Sequence, residues 1–333
     1  MKVTIIAEAG VNHNGKLSLA KKLALQAKLI GADYVKFQIF NVDNMALINL
    51  KKTQYQKKNS SDKLENQFSM LKKLSLTKDE FDKLIIYCKK IKIKFLASIF
   101  DSDSLEYVRK KSKIIKIGSS EASNYFLLKD IAKFNKYLII STGLNNYQGI
   151  KKTLDVLKKY GQSKKKITLL HCNTAYPTPF TEANLLTIQK LKELFKINVG
   201  YSDHTIGYEA ALASVALGAS IIEKHFTLNN NFKGPDHKIS LNPIEFKKMV
   251  IGIRNLSKSL NIKKNKITIS EKKNINLVNK FIVAKKNIKK GERFSYINLT
   301  AKRTGGGIES MKIENLINKK SKKNFKINEI IKI

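Results

Sequence analysis

The sequence predicts an α/β protein, a (β/α)8 TIM barrel followed by a small, mostly β domain. Short apolar runs typical of strands alternate with helical patterns, histidines follow or end several of these runs, and the pattern changes after Leu260. Parallel strands need helical crossovers, and a barrel of this class requires eight strand–helix units in about this length. A doubly wound open sheet is the alternative, because strands are hard to count from one sequence.

The candidate strands begin near Val3, Tyr34, Lys94, Ile114, Tyr137, Ile167, Asn198 and Ile221. Helical patterns cover residues 17–30, 79–91, 146–160, 207–217 and 243–260. Residues 41–76 follow the second strand and are too many for a plain loop between a strand and a helix. Long loops on a rigid scaffold often cover a substrate, so this insertion is expected to be a lid.

Three regions are expected. Residues 1–262 form the barrel, residues 263–279 are a polar, lysine-rich linker, and residues 280–333 form the small domain. The last region alternates short β-like pieces with turn signals such as Lys290-Gly291-Glu292 and Gly305-Gly306-Gly307.

Several classes of protein are excluded by composition. Apolar stretches are too short to span a bilayer, and the N-terminus resembles a strand rather than a signal peptide, so a cytoplasmic protein without a membrane partner is expected. Cys88 and Cys172 are then expected to be free thiols. The 333 residues carry a formal net charge of +38, but the lysines are spread along the chain rather than clustered with aromatic residues. We therefore expect no specific nucleic acid partner, and a field that steers anionic substrates.

The loops of parallel strands gather at one face, where such folds carry out chemistry. That face is expected to collect all the histidines of the chain, which are His13, His171, His204, His225 and His237. His204 and His225 follow adjacent final strands and are placed to bind one metal ion. Two nitrogen ligands are too few for a closed structural zinc site and suit an open Mn²⁺ or Mg²⁺ site. The alternative is that each histidine only hydrogen-bonds a nearby carboxylate such as Asp203 or Glu223.

Lys36 and Lys116 lie inside apolar strands, where an unpaired ammonium is costly. One interpretation is a buried ion pair, with Glu8 as the partner of a lysine. The other is an anion site, to which Gly118-Ser119-Ser120 and Ser141-Thr142-Gly143 would add hydroxyl donors. Together with the histidine pair, these strand ends favour a phosphorylated substrate.

The motifs also carry a family resemblance. In chain order they include Ile6-Ala7-Glu8-Ala9-Gly10-Val11-Asn12-His13-Asn14-Gly15, Val35-Lys36-Phe37-Gln38, Lys116-Ile117-Gly118-Ser119, Ser141-Thr142-Gly143, Tyr176-Pro177-Thr178-Pro179, Gly200-Tyr201-Ser202-Asp203-His204-Thr205, Glu223-Lys224-His225-Phe226-Thr227 and Gly234-Pro235-Asp236. This sequence resembles the sialic acid synthase family, the bacterial nonulosonic acid synthases. Beyond the linker, Ile288-Lys289-Lys290-Gly291-Glu292 and Lys302-Arg303 resemble the family's antifreeze-like (SAF) domain.

The resemblance implies an enzyme, a transferase that condenses phosphoenolpyruvate (PEP) with the open-chain aldehyde of an N-acetylated mannosamine-type sugar and releases phosphate by C–O cleavage. It implies that Glu8 is the catalytic base and that His204 and His225 hold Mn²⁺ or Mg²⁺, which polarises the aldehyde. The implied PEP-binding residues are Lys36, Lys116, Ser119, Ser141, Ser98 and Thr174. The implied sugar-binding residues are Gln38, Tyr176, Asp236 and Arg303.

Arg303 matches an arginine that one subunit delivers to its partner's active site, which implies a domain-swapped homodimer. The insertion, with Gln54-Tyr55-Gln56-Lys57-Lys58, resembles N-acetylneuraminate and N,N'-diacetyllegionaminate synthases more than pseudaminate synthases. The alternatives are a synthase acting on a pseudaminate precursor or a phosphosugar, and a non-catalytic sugar- or RNA-binding barrel. Departures from the family pattern occur at Ile99, Asn173, Phe281 and Thr304.

Overall fold

The computed structural model describes residues 2–59, 64–260 and 266–332. The chain divides into two compact units, with the boundary between residues 261 and 262. The boundary expected between residues 262 and 263 lies outside the described residues.

The first unit is a closed barrel of eight parallel strands, which confirms the predicted fold and rules out an open sheet. Each strand pairs with the next, and the last returns to the first with Ile221 beside Thr4. The strands are β1 (Thr4–Gly10), β2 (Tyr34–Ile39), β3 (Lys94–Ile99), β4 (Ile114–Ile117), β5 (Tyr137–Ser141), β6 (Ile167–His171), β7 (Asn198–Asp203) and β8 (Ile221–His225).

The helices around the barrel bury one apolar face each against the strands, as amphipathic crossovers do. Capping boxes begin two of them, at Thr77 with Glu80 and at Asn242 with Glu245. The helices of this unit are α1 (Leu17–Leu29), α2 (Val42–Met45), α3 (Gln54–Asn59), α4 (Gln67–Leu74), α5 (Lys78–Lys90), α6 (Ser102–Lys111), α7 (Tyr125–Ala132), α8 (Tyr147–Lys159), α9 (Thr187–Phe195), α10 (Glu209–Ala216) and α11 (Pro243–Ser259). Among the described residues, none of the helices is long and apolar enough to cross a membrane.

The strand period of two divides the barrel interior into layers. A buried apolar cluster of Ile6, Leu96, Ile139 and Leu170 fills the lower part. Two residues further along three of these strands the inward positions become polar, with Glu8, Ser98 and Ser141. The same alternation places polar groups from the other strands at this level, so the fold builds a polar chamber on an apolar base.

The insertion after β2 carries the helices α2, α3 and α4. We call its described part, residues 42–59 and 64–74, the lid segment. Met70, Leu71 and Leu74 of α4 pack against Val11 and Phe40 of the barrel in a separate apolar cluster. The insertion is thereby attached to the C-terminal face of the barrel.

The second unit contains a two-stranded antiparallel sheet of β9 (Phe281–Ala284) and β10 (Leu299–Lys302) around a small apolar core. Two one-turn helices, α12 (Ile269–Lys272) and α13 (Ile275–Val278), occupy part of the segment expected to be a linker. Neither helix buries a residue, which agrees with the absence of a core face in that sequence. Both cysteines of the chain are buried and free, as predicted.

Candidate active site

A cavity of about 240 Å³ opens at the C-terminal end of the barrel. All the site residues predicted in the barrel line it, namely Glu8, Lys36, Gln38, Ser98, Lys116, Ser119, Ser141, Thr174, Tyr176, His204, His225 and Asp236. Arg303 belongs to the second unit, where it is exposed and its Nε donates to the main-chain oxygen of Val278 at 3.2 Å. Sequence reasoning therefore identified side chains that the fold brings together from all eight strands or the loops after them.

A larger groove, of about 740 Å³, lies on the outer surface between α8 and α9. Its lining combines apolar side chains such as Leu154 and Phe195 with lysines from the surface, for example Lys151. Of these two cavities, the smaller is the one lined by buried charged side chains, and convergent polar groups distinguish a catalytic site from a surface groove.

Four buried charges form the floor of the cavity. The Lys36 ammonium lies 3.0 Å from Glu8 Oε2 and 3.4 Å from Glu223 Oε1, and Lys116 Nζ lies 3.7 Å from the same Glu223 oxygen. The ion pair with Glu8 that was one interpretation of these lysines is thus present for Lys36, and it lies inside the predicted anion site. The two interpretations of these lysines are compatible.

Burial and the neighbouring charges shift the pKa values of these groups in different directions. Desolvation raises the pKa of Glu8, although the Lys36 charge opposes the shift. Desolvation lowers the pKa of Lys116, with Glu223 opposing. For Glu223 desolvation is outweighed by Lys116 and Lys36, which lower its pKa. Glu223 is therefore the firmly ionised carboxylate, and Glu8 is the one whose proton affinity suits a base.

Hydroxyl groups surround the two ammonium groups. Lys36 Nζ donates to Ser98 Oγ at 2.8 Å, and Lys116 Nζ donates to Ser141 Oγ at 2.7 Å. Gly143 allows the next loop to approach closely, because an added Cβ would lie 2.8 Å from both Ser119 Oγ and Thr174 Cγ2. Cations and hydroxyls so arranged are what a phosphate or carboxylate requires.

His204 and His225 lie side by side, with ring centroids 5.5 Å apart. His204 Nδ1 contacts the main-chain oxygen of Asn173, which assigns the proton to Nδ1 and leaves a lone pair on Nε2. Among the described residues His225 Nδ1 has no hydrogen-bond partner, although it is buried. Asn173 departs from the family pattern, but the contact uses its main-chain oxygen and so does not depend on the side chain at this position.

This pair fits a divalent metal ion. Burial lowers the pKa of His204 to about 4 and that of His225 well below its usual range, so both rings are neutral and suited to ligation. No group of three or more histidine, cysteine or acidic side chains that could hold a metal occurs in the described part of the chain. A metal here would take two protein nitrogens, and water or substrate would complete its shell.

The alternative, that these histidines bond Asp203 and Glu223, differs from the contacts observed. Asp203 pairs with Lys224 at 2.9 Å, and Glu223 Oε1 accepts from Ser202 Oγ at 3.1 Å. The other three histidines do not line the cavity. All five lie at the expected end of the barrel, but only two of them reach the site.

Three of the four residues predicted on the sugar side, Gln38, Tyr176 and Asp236, line the upper part of the cavity. Gln38 Nε2 donates to Glu8 Oε1 at 3.2 Å, and the Tyr176 ring lies 4.3 Å from that of His204. Desolvation, with the nearby Glu8 charge, raises the pKa of Asp236 to about 7. The carboxyl of Asp236 is 4.0 Å from His225 Nδ1.

Several residues that line the cavity were assigned no site role by sequence reasoning, among them Glu223 and Tyr55. Glu223 was considered only as a hydrogen-bond partner of the histidines, yet its position two residues before His225 gives both the same inward direction. Tyr55 comes from the lid segment, and its ring lies 5.0 Å from that of Tyr176. The alternation on β8 was a usable signal for Glu223, whereas no periodic pattern points to Tyr55.

Comparison with known proteins gives matches over both units. The NeuB family matches residues 23–265, and the SAF domain matches residues 280–333. The N,N'-diacetyllegionaminic acid synthase of Campylobacter jejuni is 49% identical over 332 residues, 99% of this chain and 99% of that protein. A pseudaminic acid synthase of the same species is 33% identical over 333 residues, 99% of this chain and 96% of that protein.

Among solved structures, the N-acetylneuraminic acid (sialic acid) synthetase of Leptospira borgpetersenii superposes with a TM-score of 0.71 at 33% identity. The match covers 83% of this chain and 90% of that one. Family and domain matches span nearly the whole chain, and the full-length identity to a synthase is far above what a shared fold alone requires. The chain belongs to the NeuB family and carries a SAF domain at its C-terminal end.

Proposed function

We propose that this protein is a nonulosonic acid synthase, a transferase that joins phosphoenolpyruvate to the open-chain form of an N-acetylated mannosamine-type sugar. The observation that carries the proposal is the buried arrangement of Lys36 and Lys116, each bonded to a serine, next to Glu8 and the histidine pair. The 49% identity to a synthase of this class supports it, and the lower identity to a pseudaminic acid synthase favours the neuraminate or legionaminate branch.

The floor of the cavity suits PEP. Lys36 and Lys116 would hold its phosphate and carboxylate, and Ser98, Ser119 and Ser141 would orient it through their hydroxyls. Thr174, on the neighbouring loop, would add a further contact. Bound in this way, PEP would present its methylene carbon upward, toward Gln38 and Tyr176.

In the proposed reaction the PEP methylene carbon forms a C–C bond with the aldehyde carbon, whose oxygen becomes a hydroxyl. Water then adds to C2 of the former PEP, and the C2–O bond to phosphate breaks, so that a 2-keto acid and inorganic phosphate leave. Glu8 would accept the proton of the attacking water, because its raised pKa makes it the better base of the two buried carboxylates. Glu223 would stay ionised and hold both lysines.

His204 and His225 would hold a divalent ion, Mn²⁺ or Mg²⁺, whose chemistry when bound is to polarise the sugar aldehyde. Asp236 and Tyr176 would orient the sugar beside this pair. Arg303 would reach the sugar from the partner subunit of a domain-swapped homodimer, as the family resemblance implies. A cytoplasmic location is part of the proposal and is supported by two free, buried thiols.

Phosphate release from PEP by the purified protein tests this function. Assays with Mn²⁺ would compare N-acetylmannosamine with 2,4-diacetamido-2,4,6-trideoxymannose, each with an EDTA control. We expect sugar-dependent release that EDTA abolishes and Mn²⁺ restores. Release without either sugar, or none with both, contradicts the proposal, and turnover with a phosphosugar alone would make the protein a related aldol synthase.

A further inference from the structure

Buried polar contacts join separate parts of the lid segment. Lys52, only 4% exposed, lies 3.0 Å from Glu65. Gln56 is also buried, and its Oε1 accepts from the main-chain nitrogen of Thr53 and from Gln67 Nε2, both at 3.0 Å. A loop that merely connected two elements would not bury a charge pair and an amide network. The lid segment is therefore built to present particular side chains.

One of these side chains is Tyr55, which begins a stack of rings leading into the site. Its ring lies 5.0 Å from Tyr176, which in turn lies 4.3 Å from His204. Asn59 Nδ2, on the same helix, donates to the main-chain oxygen of Pro235 at 2.8 Å and ties this part of the lid segment to the loop after β8. The lid segment thus contacts the upper wall of the cavity.

The lid segment gives the cavity a largely apolar side. Met45, Met70 and Leu71 line it from the lid, and Val11 and Phe100 line it from the barrel loops. Gln56 and Gln67 also line it, but their amides bond each other. Met70 and Leu71 are 5% and 7% exposed. This wall contrasts with the charged floor, so the two ends of a bound molecule would meet opposite environments.

We infer that Tyr55, Met70 and Leu71 select the sugar by favouring acetamido and methyl groups over hydroxyls at the end remote from the aldehyde. The inference rests on the proposed function, because the charged floor must take PEP and the aldehyde for the far end of the sugar to face the lid segment. The preferred substrate class is then a 2,4-diacetamido-2,4,6-trideoxy sugar rather than N-acetylmannosamine.

The physical reason is the cost of desolvation. A hydroxyl placed against thioether and aliphatic groups loses its hydrogen bonds to water, whereas the methyl at C6 and the methyl that ends an acetamido group gain apolar contact. An apolar pocket discriminates such differences by about tenfold to two-hundredfold for each methylene-sized contact. The Tyr55 ring would close this pocket and pack against the acetamido plane.

Two matched leucines of α4 provide the test. Leu71 lines the cavity, whereas Leu74 belongs to the same apolar cluster and does not line it. The quantity to measure is the ratio of kcat/KM for the diacetamido sugar to kcat/KM for N-acetylmannosamine. We expect Leu71→Ala to lower this ratio about tenfold and Leu74→Ala to leave it within about twofold, since only the first loses contact with the sugar.

Tyr55 is tested in the same assay. Tyr55→Ala should lower the ratio at least as much as Leu71→Ala, with an unchanged KM for PEP, and Tyr55→Phe should retain the wild-type ratio because it keeps the ring. Equal loss for both sugars in Tyr55→Ala and Leu71→Ala, or a wild-type preference for N-acetylmannosamine, overturns the inference while the proposed function stands. If the wild-type protein turns over neither sugar, both the inference and the proposed function are refuted.

Discussion

Asp203 Oδ2 accepts a hydrogen bond from Lys224 Nζ at 2.9 Å, and the two residues face each other in the register of β7 and β8. Each directly precedes one of the paired histidines, His204 and His225. Both charged side chains are inaccessible to solvent, at 0% and 1% exposure. Because neighbouring strand residues point to opposite faces, this ion pair fixes the spacing of the two strand ends from behind the histidines.

Lys224→Met is expected to destabilise the protein and weaken metal binding together. Removing the cation leaves Asp203 buried without its partner, which costs about 3 kcal/mol in the free energy of unfolding. Chemical denaturation and Mn²⁺ titration would measure the two effects. Lys151→Met breaks an exposed pair with Asp155 and should change stability by less than about 0.5 kcal/mol. Unchanged Mn²⁺ affinity in Lys224→Met would show that the ion pair is structural only.

His225→Ala is expected to abolish metal-dependent turnover and leave the fold intact. The variant removes one of the two nitrogens proposed to hold the metal, so bound Mn²⁺ per subunit should fall to background. His13→Asn is the control, since His13 is buried at the same end of the barrel but does not line the cavity. Elemental analysis would measure the bound metal, and circular dichroism would check that the fold is intact. Wild-type metal content in His225→Ala would refute the assignment.

Lys116→Met is expected to raise the KM for PEP at least about tenfold, the loss typical of one hydrogen bond to a charged group, while the KM for the sugar stays near its wild-type value. Lys192→Met provides the comparison. Lys192 is partly buried and bonded to the main-chain oxygen of Gly218, and burial lowers its pKa as it lowers that of Lys116, but it lies outside the cavity. Initial rates at varied PEP test this, and equal effects of the two variants would argue against a PEP site at Lys116.

Arg303→Ala is expected to weaken mainly sugar binding. Mixing it with a second impaired variant, at a sugar concentration too low for either variant alone to turn over, tests the domain-swapped dimer. A Glu8→Gln subunit lacks the proposed base, and an Arg303→Ala subunit lacks the guanidinium proposed to reach the partner's site. If Arg303 serves the partner's site, subunits unfolded and refolded together in equal amounts should regain about a quarter of wild-type activity, because half of the sites in half of the dimers are complete. No recovery in a mixture shown to contain dimers, or an unchanged KM for the sugar in Arg303→Ala, would contradict the assignment.

The barrel was predictable because each strand carries its own signal. Apolar runs beginning at residues such as Tyr34 and Ile167 end in polar side chains, and the observed strands begin where these runs predict. Shorter helices such as α6 and α9 escaped notice, since a few turns with a narrow apolar face resemble a polar loop. Periodicity identifies an element best when it is long enough to repeat.

The candidate site was predictable to the extent that its residues lie at strand ends. Apart from Glu8 with a lysine, the partners of those residues were not, because contacts such as Glu223 with Lys116 depend on register between strands that are far apart in sequence. Tyr55 reaches the site only through the conformation of the lid segment, which local patterns do not determine. The role proposed for Arg303 depends on the relation between subunits, on which a single chain carries no local signal.

The charged floor of the cavity contains two lysines and two glutamates, so its formal charges cancel, while the chain as a whole carries +38. The excess of positive charge therefore acts from the surface, where dissolved salt screens it over about 10 Å at 0.1 M. Contacts inside the buried chamber are screened far less. Ionic strength should consequently slow the encounter of an anionic substrate with the protein, and leave its residence time once bound almost unaltered.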